Sequence, residues 1–510
     1  MERELRPEDV YTDRTPQSRY LRAFSRLGLR DAVIAGIRNF PQVNEPSPVQ
    51  QEFIPLVTRG DTDVFIRDGA GSGKSFGLIL ALLSKQRAGF DSRDQKRKRA
   101  VTSLVIVPHA TLALQLMEWV RTLTSKDLHN MLPSVAQVLV RGENTSASAH
   151  AEAIAATPPH ILIATPGALM DVWRNHQDAL PVRALRTVVL DEADYLLGFG
   201  QRSGKTLAGD EYERPLHPPD AMAFMDELFE ARPKCVPLAR YAGHDVGRVP
   251  LQVVLASATF PIALRDFVLR QTEWLRDSPY PLAKVGFTGP DAGDINEDEV
   301  PAGAVLGGPG LARPGLVTHH CVVVGENGEM RDLDVESILS LSAPKSKARR
   351  APKRLAPGPP VPDASLLECV AACAALDVEK LGLLVLEDGA SVARTVTELQ
   401  MLGVNAHALD LGAKEQAQFL HTWDGAMTLL VSTRATTRGI DLPISHVFIL
   451  GAPENPFIYR HLAGRVGRRG SEGRVVEIIR ESPEDEQRLV DVYRNLSIVP
   501  QKYEPGQEEP

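Results

Sequence analysis

Short aliphatic and β-branched runs recur along the chain and alternate with longer amphipathic stretches. Asp63-Val64-Phe65-Ile66 is followed by Leu104-Val105-Ile106-Val107, Ile161-Leu162-Ile163-Ala164, Val188-Val189-Leu190 and Val253-Val254-Leu255. Runs that are apolar at every position, rather than at every second one, belong to strands buried on both faces. Helical stretches between them supply crossovers. The pattern therefore predicts a parallel sheet covered on both sides, with ligand groups on loops at the carboxyl ends of the strands. The rhythm fades after Lys284, and residues 288–315, rich in Gly, Pro and acids, are expected to be a linker. A second series follows in Val317 to Val324, Leu383 to Leu386, Thr428 to Ser432 and Val447 to Leu450.

At 510 residues the chain is too long for one ordinary core. The expected division is an N-terminal extension (1–23), a first domain (24–287), the linker (288–315), a second domain (316–480) and an acidic C-terminal tail (481–510). Two segments interrupt the strand–helix series. One is an insertion at about 201–248. The other, at about 343–363, contains Lys345, Lys347, Arg349, Arg350, Lys353 and Arg354 followed by Pro357-Gly358-Pro359-Pro360, and is expected to be a disordered loop. It is either an electrostatic arm for RNA or a solvated insertion, and the smaller basic run Lys96-Arg97-Lys98-Arg99 carries the same two readings.

Composition narrows the classes. No stretch of about 18 uncharged apolar residues occurs, which argues against a membrane span. Net charge is −8, so any nucleic acid must be gripped in a local cleft rather than on a generally basic coat. Four cysteines, Cys235, Cys321, Cys369 and Cys373, are too few for a disulfide framework and fit a reducing compartment. Cys369 and Cys373 with His319, His320 and Cys321 could be drawn as a zinc site, but buried core thiols are the expected state. The N-terminus mixes Arg3, Arg6, Arg14 and Arg19 with Glu2, Glu4, Glu8, Asp9 and Asp13, unlike a secretory signal or a typical presequence.

The chemistry-bearing residues sit at the ends of the predicted strands. Gly71-Ser72-Gly73-Lys74-Ser75 follows the first run and has the form of a phosphate loop: backbone N–H groups and a helix N-terminus for phosphates, a Lys charge, and a hydroxyl for a metal. Asp191-Glu192-Ala193-Asp194 follows Thr187-Val188-Val189-Leu190 and presents two carboxylates at a strand end. The first can hold Mg²⁺ through water and the second can orient an attacking water. Together they predict a nucleoside-triphosphate motor.

Further motifs say which kind. Pro46-Ser47-Pro48-Val49-Gln50, the phosphate loop, Asp191-Glu192-Ala193-Asp194, Ser257-Ala258-Thr259, Arg438-Gly439-Ile440-Asp441 and His461-Leu462-Ala463-Gly464-Arg465-Val466-Gly467-Arg468 occur in that order. In that order they resemble the DEAD-box ATP-dependent RNA helicases, from about Phe24 to about Ile479. The resemblance implies two tandem RecA-like domains, each a mostly parallel sheet with helices on both faces, with ATP between them and single-stranded RNA across their top. It implies that Gln50 reads the adenine edge, that Gly71, Ser72, Gly73, Lys74 and Ser75 hold the phosphates, and that Ser75 and Asp191 hold Mg²⁺. Glu192 would be the hydrolytic base, Arg465 and Arg468 the arginine fingers, and Asp441 a ribose ligand. Ser257, Thr259 and His461 would couple the ATP site to RNA, while Pro108, Gly142, Thr165, Pro166, Gly167, Thr433 and Gly439 would meet the RNA backbone without reading bases.

Departures from the family pattern sharpen the expectation. Asp68 opens the phosphate loop where the family has Ala or Gly, and Arg67 or another cation is needed to compensate for its carboxylate. Val43 stands where an adenine-stacking aromatic is expected, with Phe40 and Phe24 as substitutes. Pro108-His109-Ala110-Thr111-Leu112-Ala113 lacks the family's RNA-facing Arg. Arg434 replaces an acid, Leu462 replaces an Arg, and an Arg is missing around Gln416. Residues for hydrolysis thus remain while several that grip RNA are changed. The expected function is an RNA-dependent ATPase that clamps and remodels structured RNA during assembly of a ribonucleoprotein such as a ribosomal subunit, with protein partners addressed by the insertions and no membrane. Its place would be intracellular, with the mitochondrion the leading expectation. The alternatives are a degenerate member acting as a non-hydrolysing scaffold, and a DNA-directed motor of the same superfamily.

Overall fold

The computed structural model describes residues 22–41, 43–69, 71–87, 89–91, 97–124, 126–142, 146–180, 182, 185–199, 215, 217–231, 235–236, 249–276, 282–287, 317–334, 361–409, 425–437, 442–467, 472–496 and 498–504. The chain divides into two compact units, the first made of Met1–Asp68, Ser72–Gly200 and Glu211–Gly293 and the second mainly of Asp294–Pro510. The linker at 288–315, the basic segment at 345–354, Lys96 and the region around Gln416 lie outside the described residues.

In the first unit the strands are β1 (Asp63–Arg67), β2 (Gly89–Asp91), β3 (Arg97–Arg99), β4 (Ser103–Ile106), β5 (Ala136–Leu139), β6 (Ile161–Ala164), β7 (Thr187–Asp191), β8 (Cys235–Val236), β9 (Val249–Pro250), β10 (Gln252–Ser257) and β11 (Leu282–Val285). Seven of them form one sheet in the order β11-β1-β10-β7-β4-β6-β5, parallel at every pairing. β2 with β3 and β8 with β9 are small antiparallel pairs. The alternation of faces explains the apolar runs. Leu104, Ile106, Leu162, Ala164, Val188 and Leu190 enter one core, while Val105, Ile161, Ile163 and Val189 enter the core on the other side. Both faces are covered, so both parities must be apolar. Truncating one of these side chains to Ala should cost about 2–5 kcal/mol for a leucine or isoleucine.

Helices are placed by their ends. Pro48–Arg59 starts at a capping box in which Ser47 and Gln50 bond each other's backbone N–H, has Pro at its first turn, and stops at Gly60 in the left-handed conformation (φ 75°). Asp220–Ala231 lies inside the segment expected to be an insertion. It is instead the crossover that two adjacent parallel strands, β7 and β10, require: Met222, Phe224, Met225 and Leu228 are core residues, and Phe224 meets Trp173 edge-on at 5.6 Å.

The second unit contains β12 (Val317–Val324), β13 (Met330–Asp332), β14 (Leu381–Leu386), β15 (Ala406–Ala408), β16 (Thr428–Thr433), β17 (His446–Leu450) and β18 (Gly473–Arg480). Their order is β13-β12-β18-β17-β14-β16-β15. Only β13 runs antiparallel. Leu383 and Val385 face one core and Leu384 and Leu386 the other. Residues expected to be an acidic tail fold in large part: Pro483–Leu496 is a helix whose Leu489, Val490, Val492 and Tyr493 complete a core, and Gln501 bridges to His320 beside β12. Three acidic side chains of this segment, Glu484, Asp485 and Glu486, occupy the helix's first turn, where the dipole favours them.

Glu477 in β18 is fully buried. It accepts a hydrogen bond from the Tyr493 hydroxyl, and its other oxygen has no partner. Burial pushes its pKa up to about 8, against the opposing pull of Tyr493 and Arg434. The folded state therefore holds a proton that the unfolded chain releases near pH 4.5, so this group's contribution to stability falls as pH rises from about 4.5 to about 8 and is level beyond. Glu477→Gln should remove that slope and raise Tm at neutral pH, by about 2–4 °C for each kcal/mol recovered. Thermal melts at pH 5 and 8 measure it; a variant that loses stability at both would place the value of Glu477 in its charge.

Candidate functional site

The phosphate loop leaves the carboxyl end of β1. Gly71 and Gly73 take positive φ (76° and 84°), a conformation open to glycine at no steric cost. Gly73 is also the residue before the helix Lys74–Ser84, which has no side-chain cap, and the start of such a helix suits an anion. Lys74 is buried, and its ammonium donates to the Asp68 carbonyl at 2.6 Å.

Strand register brings the other chemistry to this edge. Arg67 is level with Ser257 across β1 and β10, and Ala256 is level with Asp191 across β10 and β7. The loop, Ser257 and Asp191-Glu192 therefore share one edge, with β1 and β7 roughly 10 Å apart. The Ser257 carbonyl accepts from the Asp68 N–H at 3.3 Å.

Asp191 is buried, and neither of its carboxylate oxygens has a hydrogen-bond partner. Burial, and then Glu192, push its pKa up to about 6, opposed by the nearby Ser75 hydroxyl and Lys74 ammonium. An unsatisfied buried carboxylate beside a hydroxyl is costly, and a hydrated dication relieves it; the donor set fits Mg²⁺. Glu192 has φ 62°, the one positive value at a non-glycine among the described residues. Such strain persists where surrounding structure over-determines it, and it collects at active sites.

Asp194 ties two motifs together. One oxygen accepts from the Tyr195 N–H at 2.7 Å, and the other accepts from the Thr259 hydroxyl. Sequence reasoning gave Thr259 a coupling role without naming its partner; the signal was Asp194 itself, the last residue of the acidic motif.

Gln50 is committed within the protein. Its amide oxygen accepts from the Ser47 N–H at 2.9 Å and its amide nitrogen donates to the Gly73 carbonyl at 2.8 Å. It thus fastens the phosphate loop to a helix cap, keeping one N–H and one lone pair for a base. Phe24 and Phe40, the substitutes for an adenine-stacking ring, are both core residues, with Phe40 against Phe76 at 5.0 Å. Neither is presented to a ligand.

The expected RNA-facing residues of the first unit lie at the far side of the same edge. Pro108 follows β4, Gly142 follows β5, and Thr165-Pro166-Gly167 follows β6 and opens the helix Pro166–Asn175. His109, in place of a family residue, caps the helix Ala110–Leu123 by accepting from the Leu112 N–H.

In the second unit Thr433 ends β16, with its hydroxyl 3.0 Å from that of Thr436. Arg434 is turned inward, 3.6 Å from Glu387 and with a largely buried side chain. Leu462 is a core residue, which accounts for an apolar side chain there. Arg465 is buried and its Nε donates to the His461 carbonyl at 3.0 Å. Arg468, Gly439 and Asp441 lie outside the described residues. His319 meets the Tyr459 hydroxyl at 2.6 Å, Cys321, Cys369 and Cys373 are buried free thiols, and no metal-binding cluster occurs among the described residues.

Comparison with known proteins places this geometry. The family model for DEAD/DEAH box helicases matches residues 47–267, and that for the helicase conserved C-terminal domain matches residues 384–470. ATP-dependent RNA helicase DBP7 of Meyerozyma guilliermondii is 29% identical over 177 residues, 35% of this chain and 22% of that protein. ATP-dependent RNA helicase MSS116, mitochondrial, of Candida glabrata is 33% identical over 156 residues, 30% of this chain and 22% of that protein. The chain thus spans less than a quarter of the length of these relatives. The structure described as S. cerevisiae Dbp5 bound to RNA and ADP BeF3 shares the fold, with a TM-score of 0.57, 17% identity and coverage of 94% of each chain.

Proposed function

Because this chain belongs to the DEAD-box helicase family, we propose that it is an RNA-dependent ATPase that clamps and locally remodels structured RNA within a ribonucleoprotein. The observation that carries the reading is the register of β1, β10 and β7, which sets a phosphate loop, Ser257 and the Asp191-Glu192 pair along one edge. Loop N–H groups and Lys74 bind the triphosphate. Ser75 and Asp191 would hold Mg²⁺, which when bound neutralises phosphate charge. Glu192 accepts the proton of the attacking water, and Arg465 and Arg468 stabilise charge on the transferring phosphoryl group. Thr259, tied to Asp194, links that event to the RNA-facing loops.

RNA contacts at Pro108, Gly142, Thr165, Pro166, Gly167, Thr433 and Gly439 go to the backbone, so binding is independent of sequence and weakens steeply with salt. The altered positions His109, Ala110, Arg434 and Leu462 leave that grip poor. Recruitment then falls to partner contacts and to the basic 345–354 segment, which supports a dedicated assembly factor of a ribosome-like particle. A mitochondrial setting is the finer form of this proposal, supported by the name of one relative. No helix among the described residues is long and apolar enough to cross a membrane.

A second reading, a non-hydrolysing scaffold, is favoured by Asp68, a buried carboxylate at the start of the phosphate loop whose carbonyl holds Lys74. ATPase rates with RNA, with DNA and with neither separate the readings. Stimulation by RNA well beyond that by DNA is expected. Equal stimulation by DNA favours a DNA motor, and no turnover under any condition favours the scaffold.

A further inference from the structure

Arg141, two residues after the end of β5, is an exposed member of an ion pair near the candidate RNA-facing loops, with 65% of its side chain accessible. Its Nε donates to Asp171 at 2.7 Å and its Nη2 donates to the other Asp171 oxygen at 2.8 Å and to the Gly167 carbonyl at 3.1 Å. An exposed pair of this kind adds about 0–1 kcal/mol to stability. What it does fix is direction. Three of the five guanidinium N–H groups are spoken for, and the two on Nη1 remain.

Nη1 lies over the first turn of the helix Pro166–Asn175. A Cβ placed on Gly167 would come within 2.7 Å of it, so the guanidinium sits close against that turn. Thr165 precedes that helix without capping it through its side chain, and Gly142 is exposed beside Arg141. Asp171 occupies the Nε–Nη2 side of the fork and cancels part of its charge, while Asp220 adds a weaker negative influence. The Nη1 edge, over the first turn, lies beside the partial positive charge of the helix end, about half a unit.

From this geometry we infer that Arg141, preset by Asp171, is a phosphate-contacting residue for the RNA backbone. The inference rests on the RNA reading proposed above and adds a residue to it. β6 lies four strand spacings from β1 in the sheet order, roughly 20 Å. The anion met here is therefore separate from the phosphates held by the loop after β1, as a strand of nucleic acid laid along the edge requires. Arg141 supplies a guanidinium on the same edge where the position at Ala110 lacks one.

The test is a titration of fluorescent oligouridine against the full chain, with Mg²⁺ and a non-hydrolysable ATP analogue, at several salt concentrations. Arg141→Ala should weaken binding about tenfold at low salt, the loss of a charge-assisted contact, and lower the salt slope by about 0.7. Arg59→Ala is the control. Arg59 is a similarly exposed arginine paired with Asp61, at the opposite, amino-terminal edge of the same sheet, and its loss should leave affinity and slope unchanged. RNA-free binding of the ATP analogue should be unchanged in both variants. Wild-type affinity and slope in Arg141→Ala, or equal losses in both variants, overturn the inference while leaving the RNA reading in place. Absence of oligouridine binding by the unmodified chain overturns both.

Discussion

Glu192→Gln is expected to abolish ATP turnover, by about two to four orders of magnitude, while ATP affinity stays within a few-fold. The amide keeps the shape of the carboxylate and cannot accept the proton of the attacking water. Glu192 follows Asp191 at the end of β7, is buried, and holds a left-handed backbone that only glycines share among the described residues. That conformation costs on the order of 1 kcal/mol for a residue with a side chain. A second variant exposes the cost: Glu192→Gly should also lose turnover yet raise stability by roughly 1 kcal/mol, because the strain is released. Single-turnover hydrolysis and nucleotide titration separate the chemical step from binding. A variant that turns over at the wild-type rate removes Glu192 from the mechanism.

Arg465→Ala should lower the ATPase rate by about 10³-fold with little change in nucleotide affinity. Lys74 and Ser75 of the phosphate loop belong to the first unit and are untouched by the change. Arg465 belongs to the second, where its Nε is fixed by the His461 carbonyl at the end of the helix Pro456–Ala463. A guanidinium oriented this way is suited to charge that develops on a phosphoryl group. Steady-state kinetics at saturating RNA measure the effect. A rate within a few-fold of wild type would leave the buried Arg465 as a packing residue of its own unit.

Much of the fold was legible because it is local and periodic. Leu104 to Val107 or Leu383 to Leu386 are apolar at every position and short, as strands of a two-sided sheet are, and glycines at 71 and 73 with Lys74 and Ser75 announce a loop that wraps phosphate. Weaker signals passed unread. Ala136–Leu139 is only half-buried at its middle positions because it is the edge strand β5, and Gly473–Arg480 carries Arg474, Glu477 and Arg480 although it lies inside its sheet. Its Glu477 is tolerated by the Tyr493 hydroxyl, supplied by a helix that composition alone had marked as tail. Asp220–Ala231 resembled an insertion because its crossover role depends on β7 and β10 being neighbours.

The sequence by itself determined the strand–helix series, the phosphate loop and Asp191-Glu192 as two separate motifs, and the class of chemistry they permit, since each motif is built from residues close together in the chain. The tertiary structure decided which groups are already taken. Gln50 is bound to Gly73, Lys74 to the Asp68 carbonyl, Thr259 to Asp194, and Arg141 to Asp171 and Gly167. Most of these partners lie on different strands and loops, and strand order sets which of them meet. Hydrogen-bond capacity is a property of a residue; its satisfaction is a property of the neighbours that the sheet register brings to it.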